Sequence, residues 1–228
     1  MLTRLYLPLI FGLAGAAVLI SLGLWQMQRL SWKEAILADI SARISAAPQA
    51  IPESPDQVAD KYLPVVTKGV ITGDEIHVLV SQKQVGAGYR IISAFENNDG
   101  RRMMVDRGFV KVDQKQSARP IGQAEVIGNL HWPQETGGSI PEPDLKAEIW
   151  FARDVTAMAD FLNAEPILIV ARSTSLSDDP VEPLPVDTAG IPNDHLQYAL
   201  TWFSLAAIWV IMTLTFLWRA RGAQKGIS

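Results

Sequence analysis

His195 is the residue whose surroundings point most directly to chemistry. Tyr198, Ala199, Trp202, Leu205, Ala206 and Trp209 follow it at intervals of three and four, so on a helix they share a face with the imidazole. Neutral imidazole is a good ligand to haem iron, and an apolar wall with an alanine-sized gap suits a flat macrocycle. The same residues suit a second role, with His195, Gln197 and Tyr198 as polar anchors at a membrane interface and Trp202 and Trp209 packed on lipid or on another helix. The other two histidines, His77 and His131, stand in strand-like runs and read as side chains satisfied within a β domain. Arg107, before Gly108 in another such run, can hold an anionic group such as a propionate or a partner carboxylate, or pair with a neighbouring acid.

Other chemistries find little support. The 228 residues include no cysteine, which excludes disulfides, thiol catalysis, iron–sulfur clusters and cysteine zinc sites. No Gly-x-Ser-x-Gly, His-Glu-x-x-His or Gly-x-x-x-x-Gly-Lys occurs, and Gly86-x-Gly88 alone reads as a turn. With 20 Lys and Arg against 24 Asp and Glu, and no basic block, nucleic acid is not the expected partner. The chain reads as a protein that is not an enzyme.

The elements that must position His195 are legible from charge. Residues Leu5 to Gln28 and Leu196 to Trp218 carry no charge, and runs of this length cross a hydrocarbon core of about 30 Å as helices. The first run lacks an Ala-x-Ala cleavage site, so it reads as a signal anchor rather than a removed signal peptide. Gly12-x-x-x-Ala16 within it suits close helix contact. All 24 acidic residues lie between Glu34 and Asp194, whereas the ends carry only Arg4, Arg219, Arg221 and Lys225. Three cations follow the second span, which places both termini and the basic tail 219–228 in the cytoplasm and the central domain outside. Four residues before the first span leave no room for a transit peptide, which favours a bacterial inner membrane with a periplasmic domain.

Ser31 and Glu34 have capping-box spacing, and apolar residues recur at helical intervals as far as Ile44, so the first helix either restarts there or runs on to about residue 47. The outer domain, residues 60–173, then shows strand-like runs at Val65–Thr72, Glu75–Gln82, Tyr89–Phe95, Met103–Val110, Glu125–His131, Ile149–Ala152 and Ile167–Ala171. Asp99-Gly100 predicts a tight hairpin between the third and fourth, and Asp154 a capped helix over Val155, Met158, Ala159 and Leu162. Six or seven strands and one short helix predict an α+β membrane protein, in which two transmembrane helices, 5–28 and 196–218, flank an antiparallel β-barrel or sandwich. Residues 174–193, rich in proline and acid, predict an extended return to the membrane.

Three stretches resemble the surfeit-locus-one family of cytochrome c oxidase assembly factors. Gly23-Leu24-Trp25-Gln26-Met27-Gln28-Arg29, followed by Trp32-Lys33, is similar to its Gly-x-Trp-Gln-x-x-Arg signature. Gly86-Ala87-Gly88-Tyr89-Arg90 and Val105-Asp106-Arg107-Gly108-Phe109-Val110 resemble its central block, with Phe109 where Trp is usual. Pro192-Asn193-Asp194-His195-Leu196-Gln197-Tyr198-Ala199-Leu200-Thr201-Trp202-Phe203 resembles its most specific motif, with Asp194 where Asn is common.

The resemblance spans Gly23 to Phe203. It implies a non-catalytic factor that binds haem a or assists its insertion into the catalytic subunit of a haem-copper oxidase, working beside the haem a synthesis machinery and membrane lipid. A scaffold that grips an oxidase subunit without haem of its own is the alternative. Under the first reading His195 is the axial-ligand candidate, with Tyr198 and Trp202 as pocket wall. Antiparallel pairing of the two spans brings Trp25, Gln26 and Arg29 to the depth of His195, where Arg29 can meet a propionate while the imidazole meets iron.

Overall fold

The structure is a computed structural model that describes residues 3–83, 85–138 and 140–225. It forms two compact units: the described residues up to Asp39 together with those from Ala189 onward, and residues Ile40–Thr188.

The first unit is a helix pair. Helix α1 covers Thr3–Ile44. It passes through Ser31 without a break, so the Ser31/Glu34 spacing caps nothing. The C-terminal helix, His195–Lys225, begins one residue before the apolar run and continues past Trp218; residues 226–228 of the expected basic tail lie outside the described residues. Segments Tyr6–Ile44 and His195–Gly222 are long and apolar enough to cross a membrane. A helix of that length in a water-soluble core would be mostly covered by protein, yet only 17% and 6% of their most apolar stretches are buried.

The second unit is built on five strands: β1 (Pro64–Gln82), β2 (Gly86–Asn97), β3 (Arg102–Lys111), β4 (Gly122–Leu130) and β5 (Leu168–Thr174). Helix α2, Val155–Leu162, precedes β5, and the C-terminal helix is α3. The strand order is β1-β2-β3-β5-β4, and β4 pairs back onto β1. The expected all-antiparallel arrangement is corrected in one place: β5 runs parallel to β3 while antiparallel to β4, which makes the sheet mixed. Side-chain alternation is the same for both orientations, so hydropathy does not report the direction in which the chain returns through α2.

Three expected strands are also revised. Val65–Thr72 and Glu75–Gln82 are halves of the single strand β1, because Gly73-Asp74 makes an irregularity between Ile71 and Glu75 instead of a reversal. Ile149–Ala152 forms only isolated bridges, Val78 to Trp150 and Asp144 to Ile149. The hairpin at Asn97–Gly100 forms, with Gly100 at φ +80° and its N–H donating to the Asn97 carbonyl at 3.0 Å. Asp154 caps α2 by accepting from the N–H groups of Thr156 and Ala157, each at 3.1 Å. The α2 face that was expected, Val155, Met158, Ala159 and Leu162, is buried and belongs to the main core, which also holds Ile92, Phe95, Met103 and Leu168. β3 is buried from Met103 to Val110 on both faces, and for that reason its sequence shows no apolar–polar alternation on either side of Asp106 and Arg107.

Candidate functional site

In the helix pair, small residues set the distance of approach. A Cβ on Gly12 would lie 2.2 Å from a Thr213 methyl, one on Gly15 2.5 Å from the Trp209 ring, and one on Gly23 2.5 Å from the Phe203 ring. Ala16, Ala199 and Ala206 are buried in the same seam. The Trp209 indole N–H donates to the Gly12 carbonyl at 2.9 Å, and the Phe11 ring stands 5.6 Å from that of Trp209. Close backbone approach through Gly and Ala is how apolar helices gain contact where the surrounding medium is as apolar as they are.

Where α3 begins, this apolar seam ends in a polar contact. His195 Nδ1 is 2.8 Å from Oε1 of Gln26, a glutamine only 9% exposed. The two motifs at opposite ends of the sequence therefore meet through these side chains, at the level expected from antiparallel pairing. Trp25 and Tyr198 are half-exposed to either side of this contact in sequence, and Trp202 is partly buried. The Arg29 guanidinium lies over two rings of its own helix, 5.8 Å from the centroid of Trp25 and 5.0 Å from that of Trp32. Such a stack leaves the cation at the surface and holds it extended. The Ala199–Ala206 stripe is occupied by α1, so the gap on that face serves helix packing. The Nε2 of His195 has no hydrogen-bond partner among the described residues, and the residue is partly exposed.

Arg107 belongs to the β-rich unit. It is 2% exposed and donates to Asp179 from Nη2 at 2.6 Å and from Nε at 3.2 Å, and to the Pro120 carbonyl at 3.0 Å. Of its alternative roles, a pair with a neighbouring acid is the one present, and the acid comes from the return segment. That segment is fastened to β3: Phe109 N–H donates to the Glu182 carbonyl at 2.7 Å and Glu182 N–H to Phe109 at 2.9 Å. Gly108, at φ +129°, makes this possible, since a Cβ there would sit 2.0 Å from the Glu182 oxygen. Gly88 is likewise more than a turn residue, because a Cβ would come within 2.4 Å of the Phe109 ring.

Sequence reasoning missed the charge cluster around Asp106. This carboxylate is fully buried and accepts from Arg90 at 2.6 Å and Arg153 at 3.4 Å; Arg153 also pairs with Glu135 through its backbone N–H at 3.0 Å and its Nε at 3.1 Å. Burial works against the Arg153 charge, but Glu135 and Asp106 outweigh it and hold its pKa above the ordinary value. Burial raises the Glu135 carboxyl, and the hydrogen bonds from Arg153 more than reverse this. A signal was present in the sequence: Asp106-Arg107 interrupts the otherwise apolar run Met103–Val110, where charged pairs are rare unless matched. In a third cluster Glu75 accepts from His77 and Arg119; burial pushes its pKa up, and these bonds bring it down to about 2. His131 is held neutral, its pKa lowered to about 4 by burial and then by the Arg153 and Lys61 charges.

A paired-helix segment sealed by small residues, carrying a Gln–His contact at one end of its seam, together with a mixed five-stranded β unit, defines the class: a β-domain protein with two apolar helices at its sequence termini. The model of the SURF1 family matches residues 13–207. Among curated relatives, the Surfeit locus protein 1 of Xenopus tropicalis is 31% identical over 231 residues, covering 90% of this chain and 72% of that one. The SURF1-like protein of Rickettsia felis is 29% identical over 209 residues, covering 87% and 92%, and human Surfeit locus protein 1 is 29% identical over 221 residues, covering 86% and 71%. The chain belongs to the SURF1 family.

Proposed function

We propose that this protein is a membrane-anchored, non-catalytic assembly factor for haem-copper cytochrome c oxidase that holds haem a for delivery to the catalytic subunit. Family membership supports the oxidase setting through the resemblance drawn above. The observation that carries the haem reading is the His195–Gln26 contact, which leaves Nε2 without a hydrogen-bond partner among the described residues. The donor set fits: a neutral imidazole suits an axial position, exposed rings of Trp25 and Tyr198 suit a macrocycle edge, and the Arg29 cation suits a propionate. Bound haem a would be cargo, destined to supply oxygen and electron chemistry in the oxidase rather than here. The residues of this chain then bind and orient it, and release it to a partner. In this reading α1 and α3 span a bacterial inner membrane with the β unit on the periplasmic side.

One observation favours a scaffold as the second reading: the aromatic face of α3 already has an occupant in α1. Protein purified from cells that make haem a decides between the two. Stoichiometric haem a in wild type, lost in a His195→Ala protein that still folds, is the expected pyridine haemochrome result. No haem in wild type made in membranes rich in haem a would leave the scaffold.

A further inference from the structure

We infer that Gln26 is a positioning residue that decides which nitrogen of His195 is offered for coordination. The inference rests on the haem reading above and assigns a task to a residue that never touches the iron. Gln26 Oε1 lies 2.8 Å from Nδ1, and a carbonyl oxygen only accepts, so the imidazole proton belongs on Nδ1 and the lone pair on Nε2. A histidine side chain free in water favours the opposite arrangement, with the proton on Nε2, where it blocks coordination. The hydrogen bond made by one ring nitrogen sets the state of the other. Gln26 is only 9% exposed, so water competes poorly with its carbonyl for the imidazole proton. An acceptor behind a ligating histidine fixes both tautomer and ring plane, and its removal typically lowers metal affinity by about 10–100-fold.

The test uses the full chain in detergent, labelled with ¹⁵N-histidine. The chain has three histidines, so three ring systems appear, and the His195→Ala protein identifies the third. At about pH 8.5, where an ordinary imidazole is neutral, wild type is expected to show His195 protonated on Nδ1 with an unprotonated Nε2. Ferric haem b is then titrated and followed in the Soret band, with His195→Ala as the control for binding elsewhere. In Gln26→Ala the proton moves to Nε2 and affinity falls about 10–100-fold. Gln26→Glu keeps the Nδ1 proton and the affinity, since a carboxylate accepts the same hydrogen bond. A wild-type ring protonated on Nε2, or a Gln26→Ala protein that binds haem as wild type does, overturns the inference. Wild type that takes up neither ferric haem b here nor haem a when purified from cells that make it overturns the haem reading itself, and the role of Gln26 with it. That result is told apart from the others because it appears before any substitution at Gln26.

Discussion

Asp106 concentrates the electrostatic risk of the β unit in one carboxylate. With no exposure and two guanidinium partners, it is the group whose loss leaves the most buried charge uncompensated. Asp106→Asn preserves shape and an acceptor oxygen but removes the charge facing Arg90 and Arg153. Breaking a buried pair from one side costs about 3–5 kcal/mol, so the unfolding midpoint of the full chain in detergent should fall steeply, whereas Lys68→Ala, whose pair with Glu125 is exposed, should leave it nearly unchanged. His131 supplies a pH dependence with a definite sign. Unfolded, it takes a proton near pH 6.5, and folded only near 4, so between those values the unfolded state binds more protons and stability falls as pH drops. Allowing for the ring's partial exposure, the loss is about 2 kcal/mol. Its ring stacks on Tyr62 with centroids 5.3 Å apart, and His131→Phe, which keeps the stack without the titration, should flatten the midpoint across that window. Glu75 contributes separately and lower, with stability lost only as pH falls from about 4.5 through about 2.

At the scale of elements, the α1–α3 seam depends on the absence of side chains. Gly12 lies so near Thr213 that a Cβ there would be 3.1 Å from the Thr213 Cβ, so a Gly12→Cys, Thr213→Cys pair needs the helices to part by only a few tenths of an ångström to reach the roughly 3.5 Å at which a disulfide forms. Because the chain has no other cysteine, oxidation should give one internal cross-link, visible as two fragments that stay joined after proteolysis between the helices until reduced. Adding Gly15→Leu to that protein drives a side chain into the Trp209 ring and should abolish the cross-link. Half of this seam was legible in the sequence: Gly12, Ala16 and Gly23 on α1 carry the pattern of close packing, whereas Ala199 and Ala206 on α3 read as a gap for a flat ligand. Sequence spacing could not show that Ala199 and Ala206 would be consumed by the partner helix, because helical periodicity identifies a face and not its occupant. In the β unit, the Asp154 cap and the Asp99-Gly100 turn were readable from local chemistry. The fusion of β1 across Gly73-Asp74 and the parallel β3–β5 pair were not, since turn and bulge draw on the same residues and pairing direction depends on a crossover far away in sequence.

For the molecule as a whole, the decisive asymmetry is charge. Every acidic residue lies between Glu34 and Asp194, and Lys and Arg beyond the second apolar run have no acidic neighbour to offset them. If α1 and α3 both cross the membrane, retention of cations on the cytoplasmic side fixes the tail after α3 inside, and an even number of crossings places residue 58 on the opposite face. Val58, 83% exposed, and Gly222, exposed near the end of α3, are therefore reporters of the two sides. With no native cysteine to give background, Val58→Cys in intact spheroplasts should react with a membrane-impermeant maleimide, and Gly222→Cys should react only after lysis. The reverse pattern would invert the protein, and labelling of both in intact spheroplasts would remove one crossing. The result also fixes the side on which His195 stands, because His195 lies at the N-terminal end of α3 and Gly222 near its other end. If α3 crosses the membrane, the face opposite the one Gly222 reports is the face at which the His195 imidazole stands, so the Gly222→Cys result alone assigns its side.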